Sequence, residues 1–237
     1  MRQNLNCIIA STSTIHGLGY LEYLKPTLKK FFKEKKKLVF IPFARPGGIT
    51  HDAYTDKVRE ELDDIFDTIK GLHEYENPEQ ALKDADAIFT GGGNTFLLVK
   101  TLHDKNLMTT LKEEILKGKA YLGTSAGSNI CGINMQTTND MPIVYPSSFE
   151  TMGILKFNIN AHYLDPNPHS THKGETRETR LKEFQAQNNI NVIGLREGSY
   201  IKAEGEKLTL EGGLKARIFE PGKEAYEIES GENLDFL

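Results

Sequence analysis

Short apolar runs alternate with segments of helical spacing through the first half of this 237-residue chain, and that alternation limits the folds open to it. The runs are Leu5–Ala10, Leu38-Val39-Phe40-Ile41, Ala87-Ile88-Phe89-Thr90 and Ala120-Tyr121-Leu122. Between them lie helical stretches over residues 18–32, 52–66, 95–102 and 108–117, and a short helix opened by Asn77-Pro78. In the second stretch Val58, Leu62, Ile65 and Phe66 fall on one side, as helix periodicity requires. A weaker strand covers 67–72. Strands apolar along their whole length are buried on both faces, so the pattern predicts a doubly wound, mostly parallel α/β sheet with helices on either side.

The C-terminal third differs. Residues 154–162 alternate as a strand, 175–187 form a charged helix, and 191–195 form a further strand. Beyond Ser199, runs broken by Gly205, Gly212-Gly213 and Pro221-Gly222 predict antiparallel hairpins added at the sheet edge or end. Without a repeat, low-complexity stretch or linker, residues 1–237 are expected to form a single domain.

Composition removes several classes of function. The chain is 38% hydrophobic and 26% charged with net charge −4, which argues against a broad nucleic-acid or anionic-membrane surface. The basic residues from Lys29 to Lys37 surround Phe31 and Phe32 and read as the solvated end of a helix. No apolar run approaches the about 18 residues needed to span a bilayer. Met1 to Ala10 enters a strand-like run without a signal-peptide profile. Two cysteines, Cys7 and Cys131, make no disulfide framework, so a reducing cytoplasm is the expected location.

The run Ala120-Tyr121-Leu122 passes directly into Gly123-Thr124-Ser125-Ala126-Gly127. A strand, then G-x-S-x-G, then a helix start is the pattern of a nucleophile elbow, where flanking side chains would collide with neighbouring backbone. Ser125 is the candidate nucleophile, and the Ala126 N–H is left to face an oxyanion. A second glycine-rich strand end, Gly91-Gly92-Gly93-Asn94, is placed to supply another N–H, at Gly93, if its strand neighbours the elbow. A phosphate-binding loop is the competing reading. Against it, no Lys-Ser or Lys-Thr follows and no G-x-G-x-x-G is complete.

A serine nucleophile needs a base, and most of the seven histidines have ordinary explanations. His103 sits near a helix C-terminus, His51 opens a helix, His73 ends a weak strand, and His16 lies in a loop. His169 and His172 with Asp165 fit no common zinc spacing and read as a polar surface loop. His162 ends an apolar strand-like run, where catalytic residues gather.

Several stretches together resemble the peptidase E (aspartyl dipeptidase) family of serine peptidases across nearly the whole chain. They are Phe40-Ile41-Pro42-Phe43-Ala44, Gly91-Gly92-Gly93-Asn94-Thr95-Phe96, Gly123-Thr124-Ser125-Ala126-Gly127-Ser128-Asn129 and Thr137-Thr138-Asn139-Asp140-Met141-Pro142-Ile143-Val144. Later come Ile159-Asn160-Ala161-His162, His172-Lys173-Gly174-Glu175-Thr176-Arg177-Glu178 and Gly194-Leu195-Arg196-Glu197-Gly198. The resemblance implies a flavodoxin-like sheet related to class I glutamine amidotransferases. It also implies hydrolysis of dipeptides with N-terminal aspartate (Asp-Xaa), without metal or organic cofactor. Position by position it implies Ser125 as nucleophile, His162 as base and Arg177 as the grip on the aspartyl side chain. Asp140 and Glu197 both match family carboxylates. One would orient the histidine and the other receive the substrate's α-ammonium; Glu197 is favoured as the orienter. Two departures stand out: Thr124 where the family often carries tryptophan in the pocket wall, and a 163–173 loop of different length, expected over the site. The competing functions are a cyanophycinase-like β-aspartyl peptidase, another esterase or amidase, and a non-catalytic binding protein on the same fold.

Overall fold

The computed structural model describes residues 4–167, 169, 171 and 173–237. Strands β1 (Leu5–Ala10), β2 (Lys37–Ile41), β3 (Thr68–Gly71), β4 (Ala87–Thr90) and β5 (Ala120–Thr124) pair in parallel in the order β3-β2-β4-β5-β1. Counting from β2, the first four follow the 2-1-3-4 order of a flavodoxin-like sheet. The chain's first strand fills the fifth place.

Side-chain alternation along these strands divides the interior. Ile8, Ala10, Leu38, Phe40, Ala87, Phe89, Ala120 and Leu122 face one layer, shared with α1 (Lys25–Phe31) and α2 (His51–Leu62). Cys7, Ile9, Val39, Ile41, Ile88 and Tyr121 face the opposite layer, with α3 (Pro78–Asp84), α4 (Thr95–Asp104), α5 (Met108–Leu116) and the short α6 (Ala126–Asn129). Each large apolar side chain so buried contributes roughly 1.5–3 kcal/mol relative to exposure. Helix starts follow local chemistry. The side chains of Thr50, Asn77 and Asn94 accept the N–H groups of Ala53, Gln80 and Leu97, satisfying donors that the helix leaves open.

Two sequence expectations are corrected here. Residues 18–24 are not helical, because Leu21 adopts φ 55°, and the helix begins only at Lys25 with Pro26 in its first turn. The later strands do not all extend one sheet. β8 (Tyr200–Gly205) and β9 (Lys207–Glu211) add antiparallel to the β1 edge, giving seven strands. β6 (Asn158–Ala161), β7 (Val192–Leu195), β10 (Ala216–Phe219) and β11 (Tyr226–Ile228) form a separate four-stranded sheet, ordered β11-β10-β7-β6. Its apolar side chains Ile159, Ala161, Ile193, Leu195, Ala216 and Ile218 join the second layer, so the two sheets share one core. The charged helix α7 (Arg177–Gln187) lies outside it, with Leu181 buried among Tyr163, Val192 and Phe219.

At the C-terminal edge the strands finish in register, with Ile41 beside Thr90, Thr90 beside Gly123, and Thr124 beside Ala10. The turn from β5 into α6 requires glycine at two places. A Cβ on Gly123 would lie 2.5 Å from the Gly127 carbonyl oxygen, and one on Gly127 would overlap the Thr90 carbonyl. Gly127→Ala is therefore expected to lower stability by about 3 kcal/mol or more, since only backbone movement relieves the overlap. Urea unfolding checks this. A loss below about 1 kcal/mol would mean that α6 does not lie so close to β4.

Candidate active site

Ser125 stands between β5 and α6 with φ 54° and ψ −111°, a conformation that non-glycine residues rarely adopt. Such strain costs on the order of 1–3 kcal/mol and persists only where surrounding contacts enforce it. Here its N–H donates to the Ala10 carbonyl at 3.1 Å, while its carbonyl accepts the N–H groups of Ser128 and Asn129 at 2.9 Å. The side chain projects outward, half-buried at the sheet edge.

His162 follows directly after β6 and also has positive φ, 56°. Its Nε2 lies 2.8 Å from Ser125 Oγ and its Nδ1 2.7 Å from Glu197 Oε1. Glu197 follows β7, the parallel neighbour of β6, in a register that pairs Ala161 with Leu195. The preceding residue fixes this turn. Arg196 places all five N–H donors: two on Asp165 at 2.7 and 3.0 Å, two on Glu227 at 2.9 and 3.0 Å, and one on the Lys215 carbonyl at 2.7 Å. Those bonds, from Glu227 first and Asp165 next, raise the Arg196 pKa; the same pairing holds Asp165 below the usual carboxylate range. Glu197 is therefore held by an anchored backbone although its own side chain is 46% exposed.

Asp140 lies against the start of α4. Its Oδ2 accepts the Thr95 N–H at 2.7 Å, at the start of α4, and the Thr138 hydroxyl at 2.9 Å. Neither contact involves His162, so the structure separates the two carboxylates that the sequence left as alternatives beside it. The segment carrying Asp140 is tied to β6 through Asn139, which donates to the Ala161 carbonyl at 2.7 Å and accepts from Asn160 at 3.0 Å.

The Gly91–Asn94 turn approaches the elbow closely: a Cβ on Gly92 would sit 3.0 Å from that of Ser125. Gly91 and Asn94 commit their N–H groups to the carbonyls of Ile41 and Ala44. The Gly93 N–H donates to no carbonyl among the described residues, and Ala126, as the first residue of α6, has no intrahelical acceptor.

Arg177 opens α7 and is half-buried, with Nη1 buried and without a hydrogen-bond partner among the described residues. Burial, followed by the charge of Arg180, lowers its pKa, while Glu197 and Tyr163 act in the opposite direction. Thr124 is fully buried in β5. Of the 163–173 loop, Asp165 is engaged with Arg196 and the His169 N–H with Asn167. His172 lies outside the described residues.

The residue that the sequence reading passed over is Ser11. Its fully buried hydroxyl accepts the His162 N–H and donates to the Leu195 carbonyl, both at 2.8 Å. The available signal was a polar run, Ser11-Thr12-Ser13-Thr14, directly after an apolar strand.

A serine on a strand-to-helix turn, hydrogen-bonded to a histidine that is in turn bonded to a carboxylate, is the constellation of serine hydrolases. The chain belongs to peptidase family S51, whose family model matches residues 7–211. It is 45% identical to peptidase E of Streptomyces coelicolor, across 98% of this chain and 95% of that protein. It is 43% identical to a Drosophila melanogaster protein described as a probable alpha-aspartyl dipeptidase, across 98% and 97%. The fold also matches the crystal structure of a peptidase from an acI-B1 Actinobacterium, with TM-score 0.70 and 19% identity, covering 96% and 95% of the two chains.

Asp140 also serves as an acceptor at the start of α4. Asp140→Ala is expected to lower stability by about 1–2 kcal/mol, because the Thr95 N–H loses its partner. Equilibrium urea unfolding measures this, and unchanged stability would deny the capping contact.

Proposed function

We propose that this protein is a serine exopeptidase that hydrolyses Asp-Xaa dipeptides through an acyl-enzyme on Ser125. The observation that carries the reading is the hydrogen-bonded line Glu197–His162–Ser125 beside a half-buried guanidinium, Arg177, whose Nη1 has no partner among the described residues. The line supports covalent catalysis. The half-buried cation, with Nη1 unpaired among the described residues, favours a substrate that brings a carboxylate, since leaving a partly desolvated charge unpaired is costly.

In this mechanism Ser125 Oγ attacks the carbonyl carbon of the N-terminal aspartate as its proton passes to His162 Nε2. Glu197, on Nδ1, fixes the tautomer and stabilises the imidazolium. The N–H groups of Gly93 and Ala126 receive the charge that develops on the carbonyl oxygen; one such donor is worth about 2.7–4 kcal/mol in well-studied cases. His162 then returns its proton to the leaving amine as the C–N bond breaks. Water, activated by the same imidazole, attacks the acyl ester, and aspartate departs. No step calls on a metal or organic cofactor.

Arg177 grips the aspartyl side chain by a bidentate, charge-assisted pair. Asp140 is the candidate for the substrate's α-ammonium: both of its hydrogen bonds fall on Oδ2, leaving Oδ1 for a ligand. Enclosure of both charged groups restricts the enzyme to free N-termini. The description of the Drosophila relative favours α- over β-aspartyl linkages for this chain too. The shared core of the two sheets supports one peptidase unit over residues 1–237. A reducing, cytoplasmic location fits the two free, buried cysteines, with burial pushing the Cys7 thiol up to about 12.

Two variants test the proposal. Ser125→Ala is expected to fold and to lose Asp-Leu hydrolysis by roughly three orders of magnitude or more. Retention of a tenth of the activity would rule out the serine mechanism. Arg177→Met keeps much of the stem but removes the charge, so kcat/KM for Asp-Leu is expected to fall about 100-fold or more and that for Asn-Leu much less. An unchanged Asp-to-Asn ratio would place the carboxylate recognition elsewhere.

A further inference from the structure

We infer that Ser11 is a positioning residue that sets the geometry between Ser125 and His162; the inference rests on reading the Glu197–His162–Ser125 line as catalytic. The reacting groups are divided between two sheets. Ser125 follows β5 of the seven-stranded sheet, whereas His162 and Glu197 follow β6 and β7 of the four-stranded one. The 2.8 Å contact between His162 Nε2 and Ser125 Oγ therefore depends on how the sheets are joined at this edge.

Ala10 and Ser11, at the end of β1, make that join. The Ala10 carbonyl accepts the N–H of Ser125 at 3.1 Å and the hydroxyl of Ser128 at 2.6 Å, holding the elbow. The Ser11 hydroxyl takes the His162 N–H and gives its proton to the Leu195 carbonyl, each at 2.8 Å. The Ser11 N–H donates to the Ser199 carbonyl at 3.0 Å. Two consecutive residues thus touch the elbow, the backbone of the histidine, and both ends of the turn that carries Glu197. A hydroxyl suits this place because one atom must accept from one strand end and donate to the next. It also bonds the backbone of His162 at φ 56°, a conformation uncommon outside glycine. Ser11 is fully buried, so water does not replace these bonds when they are lost.

Ser11→Ala is expected to lower kcat for Asp-Leu by about 10- to 100-fold while KM stays within about threefold, since the imidazole moves and the substrate contacts do not. Labelling of Ser125 by a fluorophosphonate should slow by a similar factor, because it needs the same activated oxygen but no aspartyl recognition. Ser11→Cys keeps the shape and supplies only a weak acceptor, so it should fold and show the same kcat loss. Thr151→Ala is the control for stability: Thr151 Oγ1 also donates to a carbonyl, Gly132 at 2.6 Å, away from the line. It should lower Tm comparably and leave kcat unchanged. Near-wild-type kcat and labelling in Ser11→Ala or Ser11→Cys, or an equal kcat loss in Thr151→Ala, would overturn the role of Ser11. An active Ser125→Ala protein, run alongside, would instead overturn the serine mechanism itself.

Discussion

The closeness of α6 to β4 governs the working edge of this protein. The backbone at Gly127 lies so near the Thr90 carbonyl that no side chain fits between them. Helix α6 can take that position only if the chain reverses sharply after Thr124, and Ser125 absorbs the reversal with a backbone conformation it would not choose freely. From this constraint follow the outward direction of the hydroxyl, the open N–H of Ala126, and the proximity of Gly92 to the serine. The reversal is held by other contacts rather than by Ser125 itself. Ala10 on one side and the first bonds of α6 on the other keep the strained residue in place.

The division into two sheets explains the arrangement of charge. On the side of the smaller sheet, Arg196 ties Asp165 and Glu227 together and leaves Glu197 to the histidine. On the side of α4, Asp140 is engaged by a helix start and a threonine hydroxyl. The two carboxylates therefore have unlike surroundings: one is bonded to an ionisable ring and the other to fixed backbone and hydroxyl donors. Arg177 sits within Coulombic reach of the first.

The parallel sheet was legible in the sequence because its signal is local. Runs such as Leu38-Val39-Phe40-Ile41 are short and apolar on both faces, and Val58 and Leu62 mark the packed side of α2. The elbow was legible for the same reason, since five adjacent residues contain it. Pairing between distant strands has no such signature. Nothing in the residues 154–162 or 191–195 tells whether they extend the first sheet or build a second, because either arrangement buries the same side chains. The helix expected from residue 18 failed at Leu21, whose left-handed backbone no propensity of leucine suggests. The carboxylate beside His162 was left between two candidates for a related reason. Resemblance supplied both residues, and only a three-dimensional register, Ala161 against Leu195, brings Glu197 to the imidazole.

The place of β1 bears on how the chain assembles. It is the first strand of the sequence, yet it lies in the interior of the sheet between β5 and β8. During synthesis it leaves the ribosome long before either neighbour exists, and its apolar residues Cys7, Ile8 and Ile9 then have no strand to pair with. The pairings it eventually makes close very long loops, a feature that slows folding and prolongs the exposure of unpaired edges. Strands β2 to β5 can associate with their helices earlier, from contacts close in sequence. The working edge is completed only when β1 inserts, because Ala10 and Ser11 arrive with it. The reactive serine and histidine can therefore meet in this geometry only once both β1 and the much later strand before His162 have been made.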